Sequence, residues 1–295
     1  MRRKIITRRD FFKAGVALTV TMGFPFELKA ERKKTRAVLI RDPDVIDRRG
    51  RLNARIIQQM LDKAITALFD KEDPMIESGV WRLLFKPSDT VGIKSNVWGP
   101  LPTPREVEDV LKSRIMDAGV PEGNIGIDDR GVLKNRIFLT STALVNVRPL
   151  RTHHWAGVGG CIKNYIMFTP WPPFYHPDSC ADLGAIWKLP IVKDKTRLNI
   201  LLLLTPLFHG IGPHHFDTTY TWQYKGILIG TDPVSVDAVG LRILELKRLS
   251  YFGKEIPLKP PAKHIFVADV KYKLGTSNLR EIELLKLGWM EDALI

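Results

Sequence analysis

The run RLNILLLL, residues 197–204, constrains the fold more than any other stretch of these 295 residues. Continuous aliphatic side chains over the length of one strand, with no polar alternation, require burial on both faces. Such a strand lies inside a sheet that helices cover above and below. Other segments supply that sheet and its cover. RAVLIR (36–41), VGIKSN (91–96), NIGIDD (124–129), ALVNV (143–147), GILIG (226–230) and residues 281–287 read as strands. NARIIQQMLDKAITALF (53–69) puts Ile56, Ile57, Met60, Leu61, Ala64, Ile65 and Leu68 at helical spacing, with Asn53 as cap. Residues 104–119 start with proline in the first turn and stop at glycine, which also reads as a helix. Asp232 and Pro233 open another helix, running to about Lys247, and residues 261–271 look helical. This alternation predicts an α/β fold, a mainly parallel sheet covered by helices on both faces. Residues 153–190 lack periodicity and are rich in His, Pro and Trp, so they read as a long irregular insertion over the strand ends.

The N-terminus carries TRRDFFK, with Thr7, paired Arg8 and Arg9, Phe11, Phe12 and Lys13. This matches the twin-arginine export signature. The apolar stretch behind it, residues 14–26, is short and interrupted by Gly15, Gly23 and Pro25, so it does not read as a permanent anchor. Leu28-Lys29-Ala30 is a passable cleavage site. Residues 1–30 are therefore predicted to be a signal peptide and residues 31–295 a single α/β domain. The protein is expected in the periplasm or another extracytoplasmic space, meeting the membrane only during export.

The formal net charge is +13. Seven basic residues against two acidic ones in the first thirty leave +8 for the remainder. That balance favours an anionic partner. The basic residues are scattered and no nucleic-acid motif accompanies them, so the expected partner is a small anion rather than a nucleic acid. Two cysteines, Cys161 and Cys180, cannot hold an iron–sulfur cluster within one chain, because such clusters use four thiolates. One disulfide, or a mixed His/Cys site for a divalent or transition metal, stays open.

In sheets of this class ligands bind at the carboxyl ends of strands. Here those ends carry Lys94-Ser95-Asn96, Asp128-Asp129, Asn146 with Arg148, and Thr231-Asp232. The centre of interest is THHWAGVGGCIKN, residues 152–164. Glycines free main-chain N–H groups, a helix starting at Cys161 would aim its positive end at them, and Lys163 adds a full charge. The expected anion-binding set is Gly159, Gly160 and Asn164 with Lys94 and Asn96, and a tight turn is the alternative. Lys163, His153 and His154 form the expected reactive set. The two histidines alternate faces on a strand, so one of them would enter the site as acid–base group or metal ligand. Candidate metal ligands are Asp128, Asp232, Asp237 and the pair His176 and Cys180, which share one face if their segment is helical. Asp232 also reads as a helix cap, and Asp128 as part of a turn before Gly131. Asp237, set among Val234, Val236, Ala238 and Val239, needs a partner.

From Val91 to Gly240 the chain resembles the bacterial and archaeal domain-of-unknown-function family three-six-two. The resemblance rests on VGIKSN, NIGIDD, ALVNVRPLRTHH, the G-x-G-G-x-x-K-N loop and GILIGTDPVSVDAVG, with a weaker tail near residues 274–284. It implies a twin-arginine leader and an association with iron–sulfur or redox proteins. Two features depart from the family: the chain lacks a cluster-binding cysteine set, and Leu202 or Leu203 stands where an acidic residue is expected. The leading expectation is an exported protein that binds an anionic small molecule beside a metal, doing redox chemistry with an exported partner protein or metal-assisted hydrolysis. The rival is a non-enzymatic carrier of metal or ligand that assists an exported enzyme.

Overall fold

The computed structural model describes residues 34–70, 79–210 and 216–295. The leader at 1–30 lies outside the described residues. Each apolar run becomes a strand of one sheet: β1 (Thr35–Arg41), β2 (Val91–Lys94), β3 (Ile125–Asp128), β4 (Ala143–His153), β5 (Gly157–Gly159), β6 (Thr196–Leu207), β7 (Gly226–Gly230) and β8 (Ile282–Gly288). The order is β3-β2-β4-β6-β7-β1-β8, with β5 paired to the end of β4. The helices are α1 (Ala54–Leu68), α2 (Arg105–Asp117), the short α3 (Arg136–Leu139) and α4 (Cys161–Asn164), then α5 (Pro233–Phe252) and α6 (Lys263–Val270).

Pairings within β3-β2-β4-β6, and between β1 and β8, are parallel. β7 is antiparallel to both its neighbours, and β5 to β4. Parallel neighbours need a crossover, usually a helix. The connection from β6 to β7 offers only a single described 3-10 turn, Thr218–Tyr220, so the chain doubles back instead.

The two-residue period of a strand sorts side chains between two cores. Val38, Ile40, Val145, Ile200 and Leu202 face α1 and α2 through Ile57, Leu61, Ile65, Val107 and Leu111. Ala37, Leu39, Leu201 and Leu203 face the other way, toward Ile243, Leu244 and Ile265 of α5 and α6. Each such side chain contributes about 1.5–3 kcal/mol when fully buried, which is why the leucine run of β6 occupies the middle of the sheet. Among the described residues no helix is long and apolar enough to cross a membrane.

The ladder between β4 and β6 slips between Pro149 and Arg151. The extra residues lie on β6, where five steps (Leu202 to Leu207) pass against two of β4. Arg148 and Arg151, on either side of Pro149, both line one cavity.

Candidate anion-binding site

Asp128, Lys94, Asn146, Asn199 and Gly230 stand side by side across β3, β2, β4, β6 and β7. The side chains of Lys94, Asn146 and Asn199, with Asn164 and Asp129, build a buried polar frame. The Asn146 amide donates to the Asn199 carboxamide oxygen at 3.1 Å and to the Cys161 carbonyl at 2.9 Å. Asn199 donates to the Thr231 carbonyl at 3.1 Å. Asn164 donates to Asn146 at 2.9 Å and to the carbonyls of Lys94 and Val147, each at 3.1 Å. The Lys94 ammonium pairs with Asp129 and donates to the Ser95 carbonyl at 2.8 Å. Burial holds Lys94 at about 8 even though Asp129 opposes the shift. Asp129 also accepts the Val97 N–H at 2.9 Å. Interior polar groups are stable only when partnered, and this frame partners nearly all of its own. The exception is the Asn96 side-chain oxygen, which is buried without a partner.

The glycine loop folds as a one-turn helix, α4, whose positive end is met from inside the protein. Asp237 on α5 accepts the N–H of Cys161 at 2.6 Å and of Ile162 at 2.9 Å. Burial pushes its carboxyl up to about 7, against the pull of those amides and of Arg148. A Cβ on Gly160 would run into that carboxylate, and one on Gly159 would lie 2.8 Å from Arg148 Nη2. The glycines therefore admit two side chains of the protein itself, and the α4 amides hold an internal carboxylate.

The cations are left facing open space. A cavity of about 300 Å³ lies beside α4, and Arg130, Arg148, Arg151 and Lys163 line it with Asp129, whose charge Lys94 already meets. The buried ion pairs of the described residues are Lys94 with Asp129, Arg114 with Asp62 and Arg197 with Asp89, so Arg148, Arg151 and Lys163 have none. Arg151 Nε and Nη1, and Arg148 Nε, are buried without a hydrogen-bond partner. Arg148 Nη1 reaches only the Gly160 carbonyl, at 3.3 Å. Burial, then Arg148, lowers the Arg151 pKa well below its ordinary value. The cause is burial of a guanidinium beside another cation with only Asp129 opposing, a balance that a bound anion would change. Burial holds Lys163 at about 8; the nearby Cys180 thiol raises it and Arg148 and Arg151 lower it.

His153 lines this cavity. Burial, then Lys163, Arg151 and Arg148, holds its pKa far below the imidazole range, so the ring is neutral. Nδ1 accepts the Trp155 N–H at 3.2 Å, which places the ring proton on Nε2. Strand alternation ends with β4 at His153, and the turn that follows stacks the rings of His153 and His154 at 4.9 Å. His176 lines the cavity as well, and Cys180 lies near Lys163. The right-handed helical face expected for this pair is not formed. Asp178, Ser179 and Cys180 take left-handed φ values of 49°, 59° and 60°, in a region that disfavours side chains other than glycine. Both cysteines are free thiols.

Asp128 accepts the Gly131 N–H at 2.8 Å and the Asn135 amide at 3.1 Å. Asp232 caps α5 through the N–H groups of Val234 at 2.7 Å and Ser235 at 3.0 Å, and takes Thr276 N–H at 2.9 Å. Asp128, Asp232 and Asp237 thus have main-chain N–H groups as partners, and among the described residues no three of His, Cys, Asp and Glu gather as a metal-holding group. The structure brings Lys94, Asn96, Asn164, His153, Lys163 and His176 to one place. Sequence reasoning assigned no role to Arg151, Asn199, Trp98 or Trp155. Arg148 and Arg151 flanking a proline inside a strand was the signal available for the first of these.

The fold and cavity define an α/β protein with a basic, partly uncompensated crevice at the end of a mainly parallel sheet. Residues 119–242, from the turn before β3 to the middle of α5, match the family described as Domain of unknown function (DUF362). No curated protein and no solved structure matches the chain.

Proposed function

We propose that this protein binds a small anionic molecule in the crevice between β4 and α4, and does so outside the cytoplasm. The observation that carries the reading is Arg151. The residue is 5% exposed, makes no ion pair among the described residues and lines a cavity. Buried charges are ordinarily paired, and an anion would supply the missing partner. Arg148 and Lys163 would complete a three-cation clamp. His153, neutral with its proton on Nε2, would act as a hydrogen-bond donor that adds no further charge. The TRRDFFK leader supports export; replacing Arg8 and Arg9 by lysine is expected to leave the protein in the cytoplasm.

The test is a thermal-shift series with inorganic phosphate, sulfate, acetate and succinate on the wild type and on Arg151→Gln. An anion at a hundredfold excess over its Kd stabilises the folded state by about 2.7 kcal/mol, several degrees in Tm for a protein of this size. The reading expects that shift in the wild type and its loss in the variant. Equal shifts in both proteins would place the anion elsewhere.

A further inference from the structure

Resting on that reading, we infer that the ligand is a small aromatic acid. Its acidic group lies among Arg148, Arg151 and Lys163, and its ring lies against Trp155. The cavity lining is of two kinds. One is the cationic clamp. The other comprises Trp155, Ile166, Met167 and Pro172, with His176 against Trp155. At about 300 Å³ the space reaches the lower end of small-molecule sites, well beyond what a bare carboxylate or phosphate fills.

Trp155 is the informative wall. It is 45% exposed, so part of its ring is open to a ligand, yet it is held in place. Its ring stands 4.0 Å from that of His154 and 3.9 Å from that of His176, centroid to centroid. Burial, then Lys163 and His154, lowers His176 to about 4, so at neutral pH the wall next to Trp155 carries no charge. A fixed, uncharged aromatic surface suits a planar apolar group, and stacking on it orders little that is not already ordered. The cationic side is shaped to the same end. Arg151 lies over the Trp98 ring at 3.8 Å, which fixes the plane of its guanidinium. A fixed planar donor beside a fixed aromatic wall selects an anion joined directly to a ring over a flexible aliphatic one.

Isothermal titration of the full chain tests this with four probes: benzoate, phenyl phosphate, acetate and inorganic phosphate. The carboxylate and phosphate arms show which head group the clamp takes. Within the preferred arm the ring-bearing anion is expected to bind about tenfold more tightly than its ringless counterpart. Trp155→Ala should shrink that ratio to about threefold or less, and Trp155→Phe should restore most of it. Arg151→Gln should weaken both members of the pair. Equal affinity for ringed and ringless anions in the wild type would overturn the aromatic assignment while leaving the anion site standing. So would a ring preference that survives Trp155→Ala. Binding of neither member, or binding indifferent to Arg151→Gln, would overturn the anion site itself.

Discussion

Asp237 accepts the main-chain N–H of Cys161 at 2.6 Å across 76 residues of sequence. That one contact ties α5 to the glycine loop and fills the positive end of α4; Asp237 meets part of the Arg148 charge, and Arg151 and Lys163 keep no ion pair among the described residues. The loop is an anion hole whose anion belongs to the chain, and the ligand site lies one step further out.

Removing the carboxylate orphans two buried N–H groups. Each such loss costs about 1–3 kcal/mol, so Asp237→Ala should lower stability by several kcal/mol in urea unfolding. Asp237→Asn keeps one acceptor and should cost less. Equal losses in the two variants would mean that the carboxylate's hydrogen bonds are not what holds the loop.

Gly160→Ala should cost about 1–3 kcal/mol, because its Cβ meets the Asp237 carboxylate. The penalty should largely vanish in an Asp237→Ala background, where that obstacle is gone. A double-mutant cycle reads this directly. Strict additivity would show that the Asp237 carboxylate is not what the added Cβ meets.

The strands, the two layers of helices and the Asn53 and Asp232 caps were legible because period and capping chemistry are local. So was Lys94 as a polar strand end, since it closes β2; Asn146 lies inside β4, which runs on to His153. What was not legible depended on the path of the chain in space. Asn199 sits in an otherwise aliphatic run and gives no sign that it faces Asn146. Arg151 lines the cavity from the far part of β4, which runs on to His153, well past the 143–147 stretch that reads as a strand. Asp237 looked like a metal ligand for the same reason that it is a cap: a buried carboxylate demands a partner, and sequence cannot say whether that partner is an ion or two amides. The left-handed run from Asp178 to Cys180 defeated the helical spacing of His176 and Cys180.

His264 is fully buried, with both ring nitrogens unpartnered, and burial, then Lys163 and Arg148, lowers it to about 3. The folded state therefore binds fewer protons than the unfolded one between that value and the ordinary 6.5. Its contribution makes stability fall as pH drops through this window, by up to about 1.4 kcal/mol per pH unit. Asp237, raised to about 7, works in the opposite sense over part of the range. His264→Leu should remove the histidine part of the slope in unfolding curves taken from pH 7 to 4. An unchanged slope would assign the acid sensitivity to other groups.

Anion affinity should fall as pH rises through about 8, where Lys163 gives up its proton. One proton linked to binding limits the fall to about tenfold per pH unit, and a bound anion, by raising the Lys163 pKa, spreads it upward. Titrations from pH 7 to 10 should show the slope in the wild type and not in Lys163→Met. A slope that persists in the variant would point to Lys94.

The most direct measurement is the anomalous signal of selenate in a crystal grown with that anion. The account predicts a selenium peak in the cavity, with selenate oxygens about 2.7–2.9 Å from guanidinium nitrogens of Arg148 and Arg151 and from Lys163 Nζ. Selenate seated elsewhere on the protein, with an acidic side chain found paired to Arg151, would contradict it.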